Sequence, residues 1–318
     1  NMGNTNISSL LSSPVCYTGL SKQETQEVWR RRSHILISNC AFDLRLMRIR
    51  GIFPYKRGFF HRVSIVDQNS DSLRILKHLN GLREAKISSP FLGSKIMQGI
   101  IKRQKNCRSL DLNIVNNIAW PTSQSRMDNI LPAIKCLHKL RSLSIYIVRA
   151  SLLETQGCRK IFTRKTDLEY LKIFSEYYMV TNSTLSLALQ NLIEMSSDVK
   201  EFSMLVCNLG NPTFIPLIQS LTTAKNLKTL TLSIHELEPP PATEYKKIAQ
   251  IISGFPTLQQ LTFFTNYIYL GGDFMEGLTG SRSLTQMRIY LYVHAPPLIR
   301  YVNLPYFKKL KRITCFNT

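Results

Sequence analysis

The chain has 318 residues, of which 44% are hydrophobic and 19% are charged. This apolar content can form a packed core, and it excludes a chain that is disordered throughout. Lys and Arg number 41 against 20 Asp and Glu, so the formal net charge is +21. An excess of that size favours an acidic partner, whether nucleic acid, an anionic membrane surface or an acidic protein.

Residues 1–58 lack the pattern of the rest of the chain and predict a helical, basic N-terminal cap. Residues 21–24 (SKQE) form a capping box, which predicts that a helix begins here and runs through ETQEVWRRRSHILI. The following stretch, RLMRIRGIFPYKRGFFHR at 45–62, has aromatic residues between its cations and no acid. Its six cations are the candidate residues for an anionic partner: Arg45, Arg48, Arg50, Lys56, Arg57 and Arg62.

Two interpretations of this basic segment stay open. Cations interleaved with aromatic side chains can clamp phosphates and stack on bases. Alternatively, the aromatic residues cover the end of the core that follows, while the cations point into water; this second interpretation is favoured. Two further basic runs, KRQK (102–105) and KKLKR (308–312), are interpreted as solvated edges.

A spacing of apolar residues recurs nine times after residue 81. In LQQLTFF (258–264), Leu258, Leu261 and Phe263 occupy its first, fourth and sixth positions. A degenerate tenth copy lies over residues 60–65. The nine first positions stand 25 to 33 residues apart: Leu82, Cys107, Leu140, Leu168, Val199, Leu227, Leu258, Leu284 and Leu310. Each copy predicts one short strand.

Segments with helical periodicity lie between these strands. In STLSLALQNLIEM (183–195), for example, Leu185, Leu189 and Leu192 fall on one apolar face. Three further examples are SKIMQGIIKRQ (94–104), FIPLIQSL (214–221) and YKKIAQIIS (245–253). A strand and a helix at a fixed period predict repeats that bury their apolar faces by stacking on one another.

The strand motif and the period resemble the leucine-rich repeat, in its long, helix-containing, ribonuclease-inhibitor-like subtype. The resemblance implies an α/β fold over residues 59–318: a curved, horseshoe-shaped solenoid with a parallel sheet on its concave face and helices on its convex face. In that family an Asn or Cys at the ninth position satisfies backbone groups where the chain leaves the strand. Asn266 and Cys207 occupy this position here, and His235 can act in the same way.

Alternation along each strand predicts which side chains face the concave surface. The first, fourth and sixth positions point inward, whereas the third, fifth and seventh point outward. The seventh position is aromatic in five of the nine copies, and these residues are the candidate partner-binding site: Tyr146, Phe174, Phe264, Tyr290 and Phe316. Aromatic residues beside small polar ones suit protein or peptide recognition; the alternative is that loops or an N-terminal segment cover them.

The chain carries no motif that indicates an enzyme. We find no phosphate-binding glycine loop, no HExxH, no nucleophile elbow and no regular metal-ligand spacing. We therefore predict no catalytic residue, no cofactor and no metal. The seven cysteines are scattered, which is typical of a reducing compartment. No apolar run approaches ~20 residues, so no membrane span is expected.

The leading hypothesis is a non-enzymatic scaffold or structural subunit of an intracellular assembly that binds an acidic protein. The cytoplasm, cytoskeleton or nucleus fits best, and a mitochondrial location stays open. A first alternative comes from Val28, Trp29 and Arg30 ahead of the repeats, which resemble the end of an F-box and imply a substrate adaptor of a ubiquitin ligase. A second alternative is a subunit that contacts RNA or DNA in a ribonucleoprotein or nucleoid assembly.

Overall fold

The described residues form parallel strands and helices, which confirms the predicted α/β class. The chain divides into two compact units, Asn1–Lys139 and Leu140–Thr318. The structure is a computed structural model. It describes residues 34–38, 62–66, 81–88, 95–115, 127–148, 165–175, 190–207, 214–235, 242–265, 272–291 and 309–317.

In the first unit, each strand pairs in parallel with the next one along the chain. Its described strands are β1 (His34–Ser38), β2 (Arg62–Val66), β3 (Glu84–Ser88) and β4 (Ser109–Val115). Helix α1 (Lys95–Arg103) connects β3 to β4, and helix α2 (Met127–Ile134) follows β4. Gly81 stands in the turn before β3 with φ 84°, a left-handed conformation that glycine adopts without strain.

The second unit also contains an open parallel sheet whose strands pair in sequence order. Its strands are β5 (Ser142–Val148), β6 (Tyr170–Ser175), β7 (Glu201–Cys207), β8 (Thr229–His235), β9 (Gln260–Thr265), β10 (Gln286–Leu291) and β11 (Arg312–Asn317). Its helices are α3 (Phe214–Ser220), α4 (Ala242–Ser253) and α5 (Gly272–Leu278), and residues 190–194 are helical as well.

The predicted register of the repeats is confirmed. Within each unit, fourth positions pair with fourth positions and sixth with sixth, as Leu261 does with Met287 and Phe263 with Ile289. The first, fourth and sixth positions of the first eight copies are all buried, with exposures of 6% or less. In the ninth copy Leu310 is half-buried. The apolar spacing in the sequence therefore marks the core.

The helices of the second unit cover one face of its sheet. The ring of Phe263 in β9 contacts Tyr245 of α4 and Phe274 of α5, with centroids 6.4 and 4.8 Å apart. Helix α4 buries Tyr245, Ile248, Ala249 and Ile252, which are spaced as one helical face. Since side chains alternate along a strand, the fifth and seventh positions lie on the opposite face, called here the outer face.

The N-terminal prediction is wrong at one place. Residues 34–37, the end of the predicted helix, belong to strand β1. Ile35 and Ile37 pair with Val63 and Ile65 of β2, so β1 shares the register of the repeats and the sheet begins before residue 59. The first position of this copy of the repeat is residue 32, which is Arg rather than an apolar residue. The apolar spacing therefore did not reveal this copy in the sequence. The rest of the predicted N-terminal helix lies outside the described residues.

Two short helices are not among the segments named above for their helical periodicity. Helix α2 contains Pro132, a residue that usually ends a helical pattern, and α5 contains Gly272 and Gly277, which are weak helix formers. The longest described helix, α4, has 12 residues. None of the helices in the described ranges has the length and apolar composition that a bilayer crossing requires.

Candidate binding face of the sheet

Phe264 and Tyr290 form a stacked aromatic pair on the outer face. They are register partners on β9 and β10, and their rings lie 4.3 Å apart with an angle of 10° between the planes. Both side chains are half-buried. A cross-strand aromatic pair stabilises the sheet, and here it also holds both rings in fixed positions.

Tyr146 and Phe174 form a second pair on the same face. They are register partners on β5 and β6, with ring centroids 5.5 Å apart and planes tilted by 30°. Both are half-buried. Tyr170, at the third position of β6, is 38% exposed. This part of the outer face therefore also presents aromatic surface.

The predicted column of five aromatic residues is interrupted. Between the two pairs, the seventh positions of β7 and β8 hold Leu205 and Ser233, which are register partners, and Ser233 is buried. Phe316 is the register partner of Tyr290 at the other end, although its side chain is not described. The alignment is thus confirmed for the backbone of these strands, while the binding role of the five residues stays a prediction.

Polar and charged groups surround the Phe264–Tyr290 pair. Arg288, at the fifth position of β10, is exposed and lies two residues before Tyr290 on the same face, about 7 Å away along the strand. Thr231 and Thr262, the fifth positions of β8 and β9, are half-buried. An apolar centre beside a cation and hydroxyl groups is the composition of a protein-binding patch.

The turns that precede the strands stack along one edge of the sheet, called here the amino edge. In the second unit, the second-position carbonyl of each turn before β5–β10 accepts two backbone N–H groups from the next turn. The backbone carbonyl of Lys228, for example, accepts hydrogen bonds from the backbone N–H groups of Gln259 and Gln260 at 2.8 and 2.9 Å. The backbone carbonyls of Lys200 and Thr285 likewise each accept two N–H groups from the next turn. Second-position side chains of successive repeats therefore stand beside one another.

Charges on the amino edge are balanced before β6 and β7. The Glu169 carboxylate lies 2.6 Å from Lys200 Nζ and 3.6 Å from Arg141. The hydrogen bond from Lys200 lowers the pKa of Glu169 and raises the pKa of Lys200, so that both groups are charged at neutral pH. Asp167 and Asp198 add further negative charge in these turns.

The turns before β8, β9, β10 and β11 differ from these. In each of them, neither the three residues before the strand nor the first strand residue is Asp or Glu. This signal lies at and around the second position of the repeat, whereas only the apolar and outward positions carried the predictions from the sequence. All of the cations in the described parts of these turns are exposed: Lys225, Lys228, Arg282, Lys309, Lys311 and Arg312.

Of the six cations predicted to bind an anionic partner, the structure describes only Arg62. It is exposed at the start of β2, and its Nε lies 2.8 Å from the Glu84 carboxylate on β3. Its charge is therefore partly compensated within the sheet. The other five residues lie outside the described ranges: Arg45, Arg48, Arg50, Lys56 and Arg57.

The ninth positions of β7 and β8, Cys207 and His235, are register partners, whereas Asn266 lies outside the described residues. Cys107 is buried and Cys136 half-buried, and both are free thiols. Within the described ranges, no three His, Cys, Asp or Glu side chains stand close enough together to hold a metal ion.

No model of a known protein family matches the chain, and no curated protein matches it either.

Proposed function

We propose that this chain is a leucine-rich-repeat solenoid that acts as a non-enzymatic scaffold or structural subunit of an intracellular assembly. Its sheet binds an acidic protein partner through the outer face, which is the concave face of the horseshoe. The parallel strands that pair in sequence order, and the buried first, fourth and sixth positions in each of them, support this repeat type.

The stacked pair Phe264 and Tyr290 is the observation that carries the proposal. Binding energy in protein interfaces is concentrated in a few residues, often aromatic ones, near the centre of the contact. Stacking has already fixed these two rings, so a partner loses little side-chain entropy when it orders them further. Arg288 beside the pair and the net charge of +21 favour an acidic partner.

The double variant Phe264→Ser/Tyr290→Ser tests the proposal. Affinity purification with mass spectrometry from cells that make the protein first identifies the partner. A pull-down should then lose about 2 kcal/mol or more of binding free energy, roughly 30-fold in affinity, if the pair is an interface anchor. The melting temperature should fall only modestly, because the variant loses a cross-strand pair worth about 0.2–1 kcal/mol while the core stays intact.

Two matched variants serve as controls. Phe263→Ser replaces the neighbouring ring that packs on α4 and α5, and it should lose folding and binding together. Tyr170→Ser removes an exposed aromatic side chain on β6, three strands away from the pair, and it should preserve folding and lower the affinity less than the double variant does. Intact binding by the Phe264→Ser/Tyr290→Ser variant would contradict the proposal, and a partner set of ubiquitin-ligase subunits would favour the adaptor hypothesis instead.

A further inference from the structure

We propose that the amino edge before β8–β11 binds the phosphate backbone of nucleic acid without reading its sequence. This surface is separate from the aromatic pairs on the outer face, and the inference goes beyond the proposed protein-binding function. It rests on the position, exposure and surroundings of the six cations Lys225, Lys228, Arg282, Lys309, Lys311 and Arg312.

Backbone hydrogen bonds fix the spacing of these cations. The backbone N–H of Gln259 donates to the backbone carbonyl of Lys228. In the same way, Thr285 donates to Gln259 and Lys311 donates to Thr285, with all three bonds between backbone groups and 2.8 to 2.9 Å long. The four turns therefore lie in one row. Since neighbouring strands are about 4.8 Å apart, Lys228 and Lys311 are separated by about 14 Å along the edge.

Hydroxyl groups in the turns strengthen this row. Thr257 Oγ1 donates to the carbonyls of Lys225 and Leu227, both at 2.9 Å. Ser283 Oγ donates to the Phe255 carbonyl at 3.1 Å. These bonds connect the turns before β9 and β10 to the turns that precede them, so the cations belong to a fixed edge.

The six cations are exposed and form no ion pair with any other described residue. This distinguishes them from Lys200 on the preceding turn, whose charge is balanced by Glu169 at 2.6 Å. A row of uncompensated positive charges repels its own members, and a bound polyanion removes that repulsion. The acid-free row is therefore complementary to a chain of negative charges.

The composition of the edge favours phosphate over an acidic polypeptide. Four of the six cations are Lys, a residue depleted in protein–protein interfaces. Gln259 and Gln260 stand exposed between them, and Lys, Arg, Asn and Gln are the side chains that contact phosphate oxygens in nucleic-acid complexes. The described turns present no aromatic residue at their exposed positions, so this edge lacks the apolar centre of a protein interface.

The test is a binding titration of the full chain with fluorescein-labelled oligo(dT) and oligo(U) of about 16 nucleotides. If six phosphates are contacted, log K should fall against log salt with a slope of about −4, which is roughly 300-fold between about 50 and 200 mM salt. The triple variant Lys228→Gln/Arg282→Gln/Lys311→Gln should reduce the magnitude of this slope by about 2 to 3.

A charge-matched control separates the edge from the net charge. Lys102, Arg103 and Lys247 are exposed residues of α1 and α4, and replacing all three with Gln removes the same three charges elsewhere. The control should preserve most of the slope and the affinity. Equal losses in the two triple variants would overturn the proposal, because binding would then follow the overall charge of the protein.

The balanced part of the edge offers a gain-of-function test. Glu169→Gln removes the carboxylate that pairs with Lys200 and Arg141, so it should lengthen the row of free cations and strengthen oligonucleotide binding several-fold. Unchanged or weaker binding would count against the proposal. Polyglutamate and anionic phospholipid vesicles, added as competitors at equal charge concentration, should displace the oligonucleotide poorly. Displacement by either as effective as by unlabelled oligonucleotide would overturn the choice of ligand.

Discussion

Phe263 and Phe264 have the same side chain and opposite environments. Phe263 is fully buried among the rings of Tyr245 and Phe274, whereas Phe264 stacks on Tyr290 and is half-buried. The alternation of side chains along β9 accounts for this difference. A shift of one residue in the register would exchange the two environments, so the register is strongly specified by the core.

Cys107 occupies a first position, where the other eight of the nine regular copies have an aliphatic residue. Its Sγ lies 3.2 Å from the Ser109 carbonyl, and burial raises the pKa of this thiol from 9.0 to about 12. The protein thus keeps Cys107 as a neutral thiol, which is a poor nucleophile.

We predict that the Cys107 thiol resists alkylation in the folded protein at about pH 9, its ordinary pKa, whereas the half-buried Cys136 is modified faster. The measurement is mass spectrometry of each cysteine after a timed iodoacetamide reaction, with a denatured sample as the control. Rapid native labelling of Cys107 would show that this position is accessible.

The same shift predicts a dependence of stability on pH. Above about pH 9 the unfolded chain releases the Cys107 proton, while the folded chain retains it up to about pH 12. The unfolded state is therefore favoured as pH rises, by roughly 1.4 kcal/mol per pH unit. The stability advantage of the wild type over Cys107→Ala should shrink across this range in denaturant unfolding, and a constant difference would contradict the assigned burial.

At the scale of elements, helices α4 and α5 approach each other most closely at a glycine. A Cβ added at Gly277 would lie 2.7 Å from the Cβ of Ala249 and 2.9 Å from the Lys246 carbonyl oxygen. Lys246 also pairs with Glu276 across the two helices, at 3.1 Å. The absence of a side chain at residue 277 therefore permits this helix pair.

We predict that Gly277→Ala destabilises the protein by about 1–3 kcal/mol, because the added methyl group must separate the two helices. Gly99→Ala in α1 is the matched control, since a Cβ there would meet nothing within 4 Å. That change should stabilise the protein by about 0.5–1 kcal/mol through helix propensity. Denaturant midpoints measure both changes, and equal effects would show that the helices are not in close contact at Gly277.

At the scale of the whole molecule, the charge of +21 is only partly compensated. The described ion pairs are few, and their partners lie at the surface, where such pairs contribute little to stability. Repulsion between the remaining cations destabilises the folded state, and salt screens it.

We predict that raising the NaCl concentration from about 0.01 M to about 0.1 M, which shortens the Debye length from about 30 to 10 Å, increases the melting temperature by at least about 2 °C. Calorimetry in NaCl and in sodium acetate distinguishes screening, which follows the ionic strength, from specific binding of chloride. A lower melting temperature at the higher salt concentration would show that attractive pairs dominate.

The apolar spacing by itself determined the strands, their register and the buried positions. These follow from two local rules, the alternation of side chains in a strand and the helical period of the connecting segments. They predicted the environments of Leu261 and Phe263 correctly, and they placed Tyr290 beside Phe264. The spacing missed β1, because its first position is a charged residue, and it missed α5, because of its glycines.

Only the tertiary structure decided which side chains act together across repeats. The stacking of Phe264 on Tyr290, the balance of Lys200 by Glu169 and the acid-free row before β8–β11 join residues about 30 positions apart in the chain. Such contacts depend on how successive turns stack and on rotamers chosen by neighbours, which the apolar spacing does not specify. The core is specified by a local apolar period, whereas the candidate binding surfaces exist only where different repeats meet.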